Sequence, residues 1–459
     1  MQSTNKNPGE QRSPRPKLPS FIQRLLGSEL DRRLATGSAS ALSIRVAGIG
    51  ALLGCQLLLT RLLGPGVYGD YVYTLSWVNI LAVLTVCGMD TAALRFVASY
   101  EATGEWSLLR GFVRWSTQIV LAASIGGAMA FATWLLLFGD GSSTELRSAL
   151  LVAALLVPAT AMLLLLGALL RGLKQVAWAM APPFILRPLL LALGVLLVVE
   201  LFPHTPTAAQ VIAIEFGVML LLILWMIHTL RRKAPTELAS EPIGTATRLW
   251  LVSALPLLLI TGVRVGMSKV DILVLGLHDG TRSAGIYAVA GQLALLIGLG
   301  LFAVNMIVAP MIAQLHAQKR FADLQRIIRR GAQATLGFAT IGGLLLFLLG
   351  KPLLGLFGPA FSSGYPALRV LVVGQVLNSL AGSVGFLMTM TAQEREAALV
   401  SVSAVALDLL LLFLLIPRFG QLGAAYATVA AGAAWNLTLV ILVWRRLGIN
   451  STALPTPTH

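Results

Sequence analysis

Six ionisable residues sit deep inside apolar stretches of this chain: Arg45, Arg187, Arg264, Lys269, Asp271 and Asp408. Glu215 and Arg369 lie nearer the ends of theirs. A charge at the centre of a bilayer costs at least about 2.5–3.5 kcal/mol on insertion scales, so such a residue faces a cavity or a partner. Four of the six are bases. A guanidinium stays charged when desolvated and grips phosphate through two parallel N–H donors. The set therefore suits a phosphate-bearing ligand held within a membrane. Arg45, Arg187 and Arg264 are the candidate substrate contacts, and Asp271 and Asp408 the candidate ion-coupling groups.

Each also has a plainer reading. Arg45, two turns from one end of its stretch, could extend its head to the interface, and so could Lys269. Arg187 and Asp408 could be buried in structural pairs within their own halves. Arg264 and Asp271, seven residues apart, share a helix face about two turns apart, and Ser268 could bridge them. Glu215, close to a span end, reads as a wetted carboxylate.

Other chemistries find no support. The five histidines, His204, His228, His278, His316 and His459, lie in loops or at ends without metal-ligand spacing. Cys55 and Cys87, both in apolar surroundings, suggest neither a disulfide framework nor a zinc site. No G-x-x-x-x-G-K-[ST] loop occurs. The expectation is a protein that is not an enzyme and needs no cofactor or metal, driven by a proton or sodium gradient or by its substrate's own gradient.

The elements that must hold these charges are apolar segments of bilayer length. The chain has 459 residues, 57% hydrophobic and only 12% charged, against about 25% charged in soluble domains. The spans read as roughly 38–60, 70–90, 113–138, 149–170, 178–200, 209–229, 249–277, 284–314, 332–357, 366–390, 396–417 and 421–444. Backbone in lipid must satisfy its own hydrogen bonds, so these are helices. Of the Lys and Arg in the loops and at the span ends, 24 fall on one side and five on the other, namely Arg61, Arg147, Arg282, Lys351 and Arg418. That asymmetry puts both termini in the cytoplasm. It also makes the net charge of +15 a mark of insertion rather than of nucleic-acid binding.

The N-terminus lacks the apolar core of a signal peptide. Within it, residues 20–35 read as a short amphipathic helix on the inner leaflet or as an extension of the first crossing. Residues 316–331 read as an amphipathic stretch, with Phe321, Leu324, Ile327 and Ile328 against the membrane interface.

A polar loop near 229–248 divides the spans six and six. At a fixed offset of 216 residues, Gly69 matches Gly285, Tyr71 matches Tyr287, Arg110 matches Arg326 and Arg114 matches Arg330. A parallel duplication follows, with a pseudo-two-fold axis along the membrane normal and a path between the halves. The expected layout is a tail (1–37), a first lobe (38–230), a linker (231–248), a second lobe (249–445) and a second tail (446–459). Gly69 and Gly285 read as sites of close helix approach.

Three segments carry a family resemblance: LLTRLLGPGVYGDYVY at 58–73, CGMDTAALRFVASY at 87–100 and KVDILVLGLHDGTRSAGIYAVA at 269–290. Together they resemble the polysaccharide-transporter, or O-antigen flippase (Wzx-type), family of the multidrug/oligosaccharidyl-lipid/polysaccharide exporter superfamily. The resemblance implies an all-α integral membrane protein of about twelve transmembrane helices in two six-helix lobes around a central cavity. It implies outward flipping of an undecaprenyl-phosphate-linked glycan by alternating access, in the inner membrane, alongside other polysaccharide-assembly membrane proteins. Lipid II flippases of the same superfamily usually carry two further helices, which makes a peptidoglycan precursor the less expected cargo. Two other readings stand beside it. A multidrug or cation antiporter of the same superfamily would want an acidic, aromatic-lined cavity. A membrane-embedded polysaccharide polymerase or ligase would want a sizeable outward loop, and the outward loops here are short.

Overall fold

The computed structural model describes residues 29–139, 143–202, 205–235, 241–391 and 393–453. The described residues form helices and no strand. The first half holds α1 (Glu29–Val86), α2 (Met89–Thr103), α3 (Trp106–Phe138), α4 (Thr144–Ala153), α5 (Leu156–Gly172), α6 (Val176–Ala181), a π turn (Pro182–Leu186), α7 (Arg187–Leu201) and α8 (Ala208–Lys233). The second holds α9 (Thr247–His278), α10 (Thr281–Leu295), α11 (Leu299–Ala317), α12 (Phe321–Leu356), a 3-10 turn (Pro359–Gly364), α13 (Tyr365–Ala381), α14 (Val384–Met390), α15 (Glu394–Phe419) and α16 (Gln421–Leu447).

Nine segments among the described residues are long and apolar enough to cross a bilayer, and two bent helix pairs raise the number to 11. Ser43–Val86 is 44 residues long, roughly 66 Å of helix, about twice a hydrocarbon core. It breaks at Gly64, where φ is 70°, just before Pro65. A left-handed residue followed by one without an amide hydrogen ends the first crossing and starts a second. Counting it as two brings the 11 to twelve crossings, in six and six.

Several crossings are broken where hydropathy alone showed continuous apolar runs. α9 bends by 53° between Val263 and Ser268, and the α10–α11 pair by 45°. Pro182 and Pro183 force a π turn into the fifth crossing, because neither can donate the helical hydrogen bond. α13 stops at Gly382, where φ is 68°.

Of the first amphipathic segment, residues 20–28 lie outside the described residues with the rest of 1–28, and from Glu29 onward the chain is one helix with the first crossing, as the second of its two readings has it. The apolar stripe at the start of α12 does not lie on lipid. Leu324 and Ile328 are fully buried against Val308, Ile312, Val384 and Leu387, and Phe321 remains exposed. The stripe packs on protein because α11 lies beside it.

The halves meet along α1, which packs on α9 and α10. On the face opposite the basic loops the approach is backbone to backbone. A Cβ on Gly69 would sit 2.1 Å from the Thr281 carbonyl oxygen, and one on Gly285 would sit 2.7 Å from the Gly69 Cα. The two duplicated glycines touch each other. Arg61 Nε donates to the Leu356 carbonyl at 2.7 Å across the same seam, and the Tyr68 ring meets Phe361 edge-on at 6.0 Å.

Towards the basic face α9 begins on the first half. Trp250 is fully buried, donates from Nε1 to the Tyr100 hydroxyl at 3.0 Å and meets Phe112 edge-on. The preceding loop is tied down by Gly244 N–H donating to the Ser107 carbonyl. Gly88, with φ of 72°, lets the backbone at Ala254 come close, since a Cβ there would be 2.3 Å from its carbonyl oxygen. The first helix of the second half is thus seated on both halves.

Candidate functional site

Two adjoining cavities lie between the halves. The one nearer the basic face, of about 530 Å³, is lined by Arg45 and Ile49 of α1, Phe184 of the π turn, Gln292 of α10, Phe302 and Asn305 of α11, and Gln375 and Asn378 of α13. The inner one, of about 470 Å³, is lined by Gln56 and Tyr71 of α1, Arg187 of α7, Glu215 of α8, Lys269 and Asp271 of α9, and Tyr287 of α10. Leu52, Pro183, Pro188, Gln292, Leu295 and Gln375 border both. The path runs from the Arg45 level towards the Gly69–Gly285 contact, where it is sealed.

The π turn sets the geometry of the first-half bases. Gly48 lets α1 touch it, because a Cβ there would lie 2.9 Å from the Phe184 carbonyl oxygen. One turn earlier, the Arg45 guanidinium stacks 4.6 Å from the centre of the Phe184 ring and 5.4 Å from that of Phe302. Stacking on aromatic faces occupies the flat surface of a guanidinium and leaves its N–H edge for an anion. The turn also resets the helix phase for Arg187, whose N–H donates to the Pro182 carbonyl five residues back.

Arg187 reaches Glu215 with two donors. Its Nε donates to Oε1 at 2.9 Å, and Nη2 donates to the same oxygen. The Tyr71 hydroxyl donates to Oε2 at 2.9 Å. The Glu215 side chain is 1% exposed and that of Arg187 25%. Glu215 is therefore not the wetted carboxylate its place near a helix start suggested. It is the buried orienter of a base that still borders the cavity.

Asp271 lines the inner cavity and accepts from the Ile272 amide at 2.8 Å through Oδ1. Tyr287, the duplicate of Tyr71, lines the same cavity as Asp271 and its hydroxyl lies 3.3 Å from that of Thr428. Asp408 is buried behind this group, and its Oδ1 has no hydrogen-bond partner among the described residues. It is close enough to Asp271 for the two charges to interact. Lys269 lines the inner cavity rather than the interface. Arg369 stacks on Phe347 at 4.4 Å and borders neither cavity. Arg264 lies on α9 at its bend, and its side chain falls outside the described residues.

The structure thus brings Arg187 and Asp271 to one cavity and Arg45 to the next, and Asp408 is in the lining of neither. Tyr71 and Tyr287 were singled out from sequence only as a repeat pair, and the two Phe rings and the carboxamides of Gln292, Asn305 and Gln375 not at all. Their signal was nevertheless present, since amide side chains inside hydrocarbon demand partners.

Residues 34–316 match the family model described as polysaccharide biosynthesis protein. Over 170 residues the chain is 31% identical to a protein described as probable flippase AglR of Haloferax volcanii. That match covers 36% of this chain and 35% of the relative, so the chain spans about a third of that relative's length. Among solved structures, a lipid II flippase, MurJ, in an inward closed conformation superposes with a TM-score of 0.70 at 17% identity, over 89% of this chain and 87% of that one. A multidrug resistance MATE family transporter in an inward-facing conformation gives 0.67 at 12% identity, over 89% and 98%. On its family match the chain belongs to the polysaccharide biosynthesis protein family, and it has the fold of these transporters.

Proposed function

We infer that the protein flips a lipid-linked oligosaccharide from the cytoplasmic to the outer leaflet of the inner membrane by alternating access, with both termini in the cytoplasm. The observation that carries this reading is Arg45. It stacks on two aromatic rings in a cavity whose lining, among the described residues, contains no carboxylate. An anion entering from the basic face meets an unneutralised guanidinium there, which is what a phosphate or diphosphate leaving water needs. The inner cavity supplies Arg187 and Lys269 against Glu215 and Asp271, so the cation excess lies at the entrance. A cationic-drug antiporter would place acids at that point. Arg264, on the same helix as Lys269 and Asp271, is a further phosphate contact in this reading.

Asp271 and Asp408 are the coupling pair. Two neighbouring carboxylates in a dry setting are relieved by one proton or one cation, which links their occupancy to an H⁺ or Na⁺ gradient. Glycan-assembly proteins of the same membrane would supply and receive the cargo.

The test is flipping of a fluorescent lipid-diphosphate oligosaccharide in proteoliposomes. Arg45→Gln loses charged hydrogen bonds worth roughly 1.5–3 kcal/mol each, so apparent affinity falls about tenfold or more. Arg45→Lys recovers only part, lacking the planar fork. Asp408→Asn keeps downhill flipping and removes its response to an imposed ion gradient. Unchanged flipping by Arg45→Gln overturns the phosphate role, and uptake of organic cations in place of the lipid overturns the cargo.

A further inference from the structure

We propose that the cavity nearer the basic face contains a subsite that reads the neutral sugar next to the phosphate, built from carboxamides of the second half. This rests on the reading of the protein as a carrier of lipid-linked glycan, and adds which residues select the cargo and what kind of sugar they select.

The cavity has a chemical division. Arg45 and the rings of Phe184 and Phe302 form its charged, aromatic side. Gln292, Asn305, Gln375 and Asn378 form its polar, uncharged side. A carboxamide both donates and accepts, as a sugar hydroxyl does, so four of them match a polyhydroxylated ring without favouring a charge. Phe302 and Asn305 are three residues apart on α11 and share a face, separated by about 4.5 Å of helical rise. One can cover the flat C–H face of a pyranose as the other reaches its edge. The volume, about 530 Å³, lies in the range of small-molecule sites, about 300–1,000 Å³.

Asn305 carries the argument furthest. It is 7% exposed, lines the cavity, and its Oδ1 has no hydrogen-bond partner among the described residues. A buried acceptor left unpaired costs about 1–3 kcal/mol, and a ligand hydroxyl relieves that cost. Asn378, by contrast, accepts from Asn436 Nδ2 at 3.1 Å, which fixes the floor beside it.

The duplication shows that this set is not part of the common scaffold. At the 216-residue offset, Asn305, Gln375 and Asn378 correspond to Met89, Ala159 and Met162, and Gln292 to Ser76. Three of the four positions are apolar in the first half. A polar group needed only to hold helices together would be expected in both copies of the fold. Here the second half alone acquired them, at the wall facing Arg45.

The full-length protein in lipid nanodiscs tests this with three probes: farnesyl diphosphate, and the same lipid diphosphate carrying N-acetylglucosamine or galactose. Wild type binds at least one sugar-bearing probe more tightly than farnesyl diphosphate. Asn305→Leu and Gln375→Leu each reduce that gain about three- to tenfold, the range of one or two neutral hydrogen bonds, with the affinity for farnesyl diphosphate unchanged. Arg45→Gln weakens all three probes. If Asn305→Leu fails to fold, the less buried Gln375 carries the comparison. Equal binding of all probes by wild type, or equal loss across probes in the leucine variants, overturns the subsite and leaves the flippase reading standing. Failure of wild type to bind any of the three overturns both.

Discussion

Replacing Gly69 with alanine tests whether the seam opposite the basic loops is a gate. The new Cβ would lie 2.1 Å from the Thr281 carbonyl oxygen and 2.6 Å from its carbon, where ordinary contact begins near 3.4 Å. The obstacle is backbone, so no side-chain rotation relieves it. α10 must retreat from α1 by roughly 1 Å, and overpacking of this kind costs about 1–3 kcal/mol. That penalty falls on the conformation in which Gly69 and Gly285 touch, and disappears in one where the halves part at this seam. The equilibrium therefore shifts towards the parted state by about five- to 150-fold. Spin labels on a Cys-substituted pair at Pro65 and Arg282 report the change directly. Wild type gives one short distance, and Gly69→Ala adds or substitutes a longer one. Gly285→Ala, with its Cβ 2.7 Å from the Gly69 Cα, does the same. A distance distribution identical to wild type in a folded Gly69→Ala protein refutes the reasoning, because the seam would then yield without separating the halves.

Three further outcomes follow. Glu215→Gln weakens two charge-assisted bonds to Arg187 and one from Tyr71. It should lower thermal stability more than Arg187→Met combined with Glu215→Leu, since half a buried pair is worse than none; strict additivity in the mutant cycle would deny the coupling. Trp250→Ala removes a fully buried indole and its bond to Tyr100, a change that costs about 3–5 kcal/mol in protein cores, and the melting temperature of purified protein should fall steeply, with Trp250→Phe intermediate. A Cys label at Lys319 should react only from the cytoplasmic side of intact cells; reaction from outside reverses the orientation drawn from loop charge.

How much of this was legible in the sequence depends on what each feature rests on. The crossings and the six-plus-six division follow from hydropathy and loop charge, because lipid leaves a chain few alternatives. The Gly69–Gly285 pair was visible as a repeated small residue. Its mutual contact was not, since an offset of 216 residues says that two positions are equivalent and not that both lie at the axis. The bends escaped for a related reason. The run from Thr247 to His278 reads as one crossing, and hydropathy does not register the bend between Val263 and Ser268. Charges were legible as charges, but their partners depend on which helices are neighbours. Glu215, read as wetted, is buried because α1 and α7 pack over it. Lys269, expected as readily at the interface, lines the inner cavity because the helix containing it follows the bend. Of the two short amphipathic segments, the one at 321–328 kept its helix but exchanged lipid for protein because α11 lies beside it.

The contact between Gly69 and Gly285 also says something about descent. In a six-helix ancestor assembling as a parallel pair, these would have been one residue meeting its own copy on the dimer axis, an isologous contact. A mutation there adds its atoms twice at one point, so the position tolerates almost nothing. Joining the two copies in one chain lifts that restriction everywhere except on the axis itself. Off the axis, Arg45, Arg187, Glu215, Asp271 and Asp408 face Thr261, Ser403, Ala431, Cys55 and Ala192 at the equivalent positions. Each half could take up a different charge, and the fused gene could build an asymmetric interior on a hinge that stayed symmetric.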